Sequence, residues 1–153
     1  MRTVRKIFSG ICSHRGTNKD TGDIMIRTEE SQEMYLKTIY ILKKSGLNIC
    51  SMDIATELGY AKSSVSVAMK GLRNNGYIVM NDNQIVLTSK GYQKARKIYE
   101  RFTVFTQILE DLGVERKQAE ETACRMEHVV SDEVFEVIKK KVFDKTLFSA
   151  GKD

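Results

Sequence analysis

The chain contains no proline, so glycine supplies its helix stops, and Gly46, Gly59, Gly76 and Gly113 cut it into segments. Over residues 28–44, polar Thr28 to Gln32 supply caps and early negative charge. Tyr35, Leu36, Ile39, Tyr40 and Leu42 then recur at helical spacing. A short helix follows, with Ser51 expected as its N-cap, Ile54, Ala55 and Leu58 apolar, and Gly59 as its stop. Past the Tyr60–Ala61 turn, residues 62–75 form a third helix with Val65, Ala68, Met69 and Leu72 inward. Two helices joined by a tight glycine-containing turn make a helix-turn-helix. Residues 77–80 and 84–87 are β-prone runs around Asn81-Asp82-Asn83, residue types that tolerate the backbone of a tight hairpin. Residues 28–90 are therefore expected to form a winged helix-turn-helix.

From Thr88 or Ser89 a long helix runs to about residue 112. Its stripe is Tyr92, Ala95, Ile98 or Tyr99, Phe102, Phe105, Leu109 and Leu112. A helix over about residues 116–130 carries Ala119, Ala123, Met126 and Val130. Ser131-Asp132-Glu133 caps a last one, with Val134, Phe135, Ile138 and Val142 expected inward. The fold class is thus mainly α, a winged helix-turn-helix followed over 91–145 by an α-helical domain. Residues 1–27 are expected to be a disordered extension and 146–153 a tail. The stripe's four aromatics have only two later helices to cover them, which favours a homodimer over a purely intramolecular bundle.

A net charge of +5 suggests an anionic partner, and its placement is more informative than its sum. No acidic residue lies between Glu57 and Asp82. That window holds Lys62, Lys70 and Arg73 for phosphates, with Ser63, Ser64 and Ser66 near the helix start for base edges and backbone. The plainer alternative is an ordinary solvated helix face. The coincidence with the expected recognition helix favours double-stranded DNA, and a single module of this size favours two copies on a palindromic operator. Lys90, Lys94, Arg96 and Lys97 form a second basic cluster that could reach flanking phosphates. No apolar run approaches the length that spans a bilayer. Three cysteines at no recurring spacing argue against a disulfide scaffold and for a reducing cytoplasm.

Cys124, Glu127 and His128 sit at i, i+3 and i+4, so a helix projects a thiolate, a carboxylate and an imidazole to one side. These are ligands for divalent transition metals. The competing reading of the pentapeptide alone is a half-buried cysteine beside a solvated Glu–His pair. No catalytic triad, phosphate loop or paired acid–base constellation appears, so an enzyme is not expected.

Residues 33–40, Val65-Ser66, residues 87–91 and residues 123–134 together resemble the DtxR/MntR group of metal-dependent transcriptional repressors. The run over 123–134 is close to the iron-responsive branch. The resemblance covers about residues 28–140 and leaves no room for that family's optional SH3-like domain. It implies that Met34 joins Cys124, Glu127 and His128 in holding a regulatory metal, which clamps the DNA-binding half to the dimer half. A thioether and a thiolate make the set soft, favouring Fe²⁺, with Co²⁺, Ni²⁺, Zn²⁺ or Mn²⁺ as alternatives. The manganese branch resembles a site with acidic residues where this chain has Met34, Lys37 and Cys124. The resemblance also implies a second site at Phe102, Thr106 and Glu120, but only one of those residues can bind metal, so a single site is expected. A different class of function is a metal-independent winged-helix regulator in which Cys124 senses oxidants.

Overall fold

The computed structural model describes the backbone of residues 21–149 and the side chains of residues 29–144. The expectations for residues 1–20 and 150–153 lie outside the described residues. The element order is α1 (Thr21–Lys44), α2 (Ser51–Leu58), α3 (Lys62–Asn74), β1 (Ile78–Asn81), β2 (Gln84–Leu87), α4 (Ser89–Asp111), α5 (Arg116–Val129) and α6 (Asp132–Ser149). The first helix thus begins seven residues before the expected start, taking in residues expected to be extension, and α6 runs into the expected tail. Two compact units divide between Tyr99 and Glu100, inside α4.

In the first unit α1 is the central element. Every residue from Met34 to Leu42 is buried, including Thr38 and Lys37, the latter 2% exposed. A helix apolar on one stripe would bury about half of them, so α1 is enclosed on all sides. Elements α2, α3 and β2 pack against it. The Tyr40 ring lies 5.5 Å from Tyr92 and 5.3 Å from Tyr99. Tyr99, half-buried, thus finds cover on α1 and leaves the argument for a dimer, whereas Tyr92 stays 48% exposed beside Tyr40.

The start of α2 differs from expectation by one residue. Cys50, not Ser51, is the N-cap, and the Asp53 carboxylate accepts the Cys50 N–H at 2.8 Å, half of a capping box. The β1–β2 hairpin closes through Asp82 (φ 46°) and Asn83 (φ 63°), the paired positive φ values that let a two-residue turn match strand twist. Ile78 and Ile85 face the core, and the Ile85 N–H donates to the Ile49 carbonyl at 2.7 Å.

Thr88 joins this wing to α4. Its hydroxyl accepts the Gly91 N–H at 3.1 Å, as an N-cap does, and donates to the Gly76 carbonyl at 2.6 Å. Its own N–H donates to the Tyr77 carbonyl at 3.0 Å. These bonds draw α4 so close to the hairpin base that a Cβ on Gly91 would lie 1.9 Å from the Tyr77 carbonyl oxygen.

The second unit packs Phe102, Phe105, Ala119, Ala123 and Phe135 together, with Phe105 and Phe135 edge to face at 5.7 Å. Caps hold its helix starts. Glu115 accepts the Gln118 N–H at 3.3 Å, and Ser131 accepts the Val134 N–H at 3.4 Å, as expected for α6. Val134, expected inward, is exposed instead, because the apolar cover for α6 converges on Phe135. Leu112, at the end of the expected stripe, is also exposed.

Candidate metal centre and nucleic-acid interface

Helix α5 brings Cys124, Glu127 and His128 together. One ligand atom from each lies within 4.8 Å of the others, and among the described residues this is the only such group. His128 Nε2 and Glu127 Oε1 are 3.4 Å apart. Cys124 is 1% exposed and Glu127 2%. A carboxylate and a potential thiolate buried side by side are costly unless a cation answers them. Soft and borderline donors within reach of one point, in a dry site, fit a divalent transition metal. The alternative of a half-buried cysteine beside a solvated pair does not hold, since all three side chains are withdrawn from water.

Arg101, a residue the sequence reading missed, fixes the ligand helix. Its guanidinium donates to the carbonyls of Glu127 at 2.9 Å and Val130 at 2.6 Å and pairs with Asp132. It thereby satisfies backbone acceptors left open at the C-terminal end of α5, one of them on the candidate ligand Glu127. An isolated arginine in a polar stretch carries no pattern that would reveal this. Arg101→Met is expected to lower metal affinity by about tenfold while the chain stays folded, the usual scale for a residue that orients a ligand. Titration with Co²⁺ followed by its absorption bands would measure it.

Met34 lies in the first unit, on α1, where the Tyr60 hydroxyl donates to its thioether at 3.7 Å. Burial pushes the Tyr60 hydroxyl above its ordinary value of 10, so it remains a donor at physiological pH. Tyr60 had been read from sequence only as part of a turn. At the implied second site, Phe102 is buried and the Thr106 hydroxyl donates to its carbonyl at 2.8 Å. Glu120 pairs with Arg116 at 3.1 Å. That hydroxyl is turned into its own helix and that carboxylate already faces a cation.

On α3 the structure places Lys62, Ser63, Ser64, Ser66, Lys70 and Arg73 at exposed positions, with Val65, Met69 and Leu72 buried behind them. The second basic cluster is differently disposed. Lys90 donates to the Asn75 carbonyl at 3.0 Å and lies 4.6 Å from the Tyr77 ring centre. Lys94 pairs with Glu33 at 3.4 Å and lies 5.4 Å from the same ring. Both brace the hairpin base instead of standing free for phosphate.

Comparison with known proteins gives a consistent picture. Residues 27–84 match the family model of the iron dependent repressor N-terminal DNA binding domain, and residues 88–144 that of its metal binding and dimerisation domain. The chain is 35% identical over 113 residues to an uncharacterized HTH-type transcriptional regulator of Methanocaldococcus jannaschii, covering 72% of this chain and 90% of that one. It is 31% identical over 107 residues to the diphtheria toxin repressor of Corynebacterium diphtheriae, covering 69% and 47%. It thus spans about half the length of that repressor. Among solved structures, the manganese regulator SloR superposes with a TM-score of 0.65 at 26% identity, covering 72% of this chain and 53% of that one. The metal-dependent transcriptional regulator MtsR gives 0.66 at 25% identity, with the same coverage. No helix among the described residues is long and apolar enough to cross a membrane.

Proposed function

Because the chain belongs to the DtxR/MntR family of metal-dependent transcriptional regulators, we propose that it is a homodimeric repressor whose grip on palindromic operator DNA requires Fe²⁺. The observation that carries the metal dependence is the buried Cys124, Glu127 and His128 cluster. These three residues would hold the ion, with Met34 as the fourth ligand that the family resemblance adds. A bound dication supplies the positive charge that a buried carboxylate and thiolate call for. Iron is preferred on two grounds. The donors include a thiolate and a thioether, softer than the oxygens that suit manganese. Lys37, one turn along α1 from Met34, puts a buried ammonium where the manganese branch resembles a site with an acidic group.

Lys62, Lys70 and Arg73 contact phosphates, and Ser63, Ser64 and Ser66 contact backbone and base edges near the start of α3. Each protomer offers one such helix, and a palindrome matches two of them. The exposed Val129, Val134 and Val137 of the second unit are the apolar side chains offered to a partner copy. Repression is carried out on DNA in the cytoplasm.

Nothing favours the metal-independent redox reading. An oxidant sensor needs an accessible thiol, and Cys124 is buried. The test is operator binding by the reduced protein with chelator, Fe²⁺ and Mn²⁺ in parallel. Binding that appears with Fe²⁺ at concentrations where Mn²⁺ has no effect supports the proposal; equal binding in chelator overturns it.

A further inference from the structure

Helix α3 carries one apolar side chain on the wrong side. Val67 is 73% exposed, the most exposed large hydrophobic residue of the first unit among those described. At 100° per residue, Ser63, Val67, Lys70 and Asn74 share a face, directly opposite the buried Val65, Met69 and Leu72. All four are exposed. Neither packing nor helix formation explains a valine there, since it touches no core and is a poorer helix former than the Ala, Lys or Gln that would serve on a surface. The face is also open. Gly71 sits at its edge, and a Cβ added there would meet nothing within 4 Å.

Resting on the proposed DNA-binding function, we infer that Val67 is a specificity residue that packs on the C5-methyl of a thymine in the operator's major groove. Within that groove the thymine methyl is the one apolar group on any base edge, so it is the natural partner of a lone aliphatic side chain among hydrogen-bonding ones. The setting supplies the charge match. Lys70 lies on the face and Arg73 beside it, and the sequence from residue 58 to residue 81 contains no acid to repel the duplex. The serines of α3 can donate or accept and so discriminate weakly between bases, whereas a methyl pocket accepts thymine alone.

The experiment starts from a random duplex library, from which the reduced, Fe²⁺-loaded full chain selects its operator. Each thymine of the selected site is then replaced by uracil, which deletes the methyl and leaves every hydrogen-bonding group in place. Wild type is expected to bind about fourfold more weakly when one particular thymine per half-site is changed, the loss that burial of one methyl implies. Val67→Ala is expected to be indifferent to that same change. It should keep its helix content, because alanine is the better helix former. If no uracil substitution weakens the wild type, or if Val67→Ala keeps the sensitivity, the assignment of Val67 is overturned while DNA binding stands. Selection of no sequence at all by the wild type overturns the DNA-binding reading itself.

Discussion

Cys124→Ala is expected to abolish metal-stimulated operator binding while leaving affinity for random duplex within about twofold of wild type. The two halves of that expectation have separate physical sources. Of the proposed ligands Cys124 is the hardest to replace, being the strongest soft donor of the set and buried beside Glu127 and His128. Without its thiolate the remaining donors lose both a bond and part of the charge that holds a dication. Moving a protein from 1% to 99% competent takes about 5.5 kcal/mol of preferential binding, so even a partial loss of ligation collapses the response. On the proposed reading, non-specific affinity comes instead from Lys62, Lys70 and Arg73, on α3 of the other compact unit. Fluorescence anisotropy with operator and random duplexes, under Fe²⁺ and under chelator, separates the two. A variant that responds to Fe²⁺ as wild type does would refute the assignment.

Gly91→Ala is expected to destabilise the fold by about 3 kcal/mol, the upper range for forcing a methyl into a packed site. The clash is with backbone. The new Cβ would stand 1.9 Å from the Tyr77 carbonyl oxygen and 2.8 Å from its carbon. Neither side can give way cheaply. The Tyr77 carbonyl accepts the Thr88 N–H, the Tyr77 N–H donates to the Leu72 carbonyl at 2.9 Å, and Thr88 caps α4 at the Gly91 N–H. Relief requires separating the wing from α4, so the melting temperature should fall by about 10 °C. Gly71→Ala makes the comparison, because it sits in open space within α3 and should gain up to about 1 kcal/mol of helix propensity. Thermal unfolding followed by circular dichroism measures both, and a Gly91→Ala chain melting within 2 °C of wild type would show the close approach to be relieved.

Most of the architecture was legible in the sequence because its punctuation is local. Helix ends at Gly46, Gly59, Gly76 and Gly113, and a hairpin turn at Asp82–Asn83, depend on backbone preferences that neighbouring residues express. The cluster of Cys124, Glu127 and His128 was legible for the same reason, since helical spacing alone puts three side chains on one side. What escaped depends on residues far apart in the chain. No periodicity reveals that Lys37 and Thr38 are enclosed along with their apolar neighbours, because the enclosure is made by α2, α3 and β2. Tyr99 looked available to a partner until Tyr40 was seen to pack on it. Arg101 gains its role only from the carbonyls of Glu127 and Val130, and Gly91 from Tyr77. Cys50 replaced Ser51 as a cap because the position relative to Asp53 outweighs the intrinsic capping preference of serine.

The way Lys90 and Lys94 brace the hairpin base changes how this protein should respond to ionic strength. A cation already bound to the Asn75 carbonyl, or to Glu33, and laid over the Tyr77 ring is committed to the hairpin base and does not displace a condensed counterion from a phosphate. DNA affinity falls with salt by a logarithmic slope of about −0.9 for each phosphate neutralised. With Lys62, Lys70 and Arg73 as the proposed phosphate contacts, the expected slope is about −3 per protomer, shallower than a tally of basic residues over this half of the chain would give. Such a regulator holds its operator across a wider range of salt, and leaves control to the occupancy of its metal site.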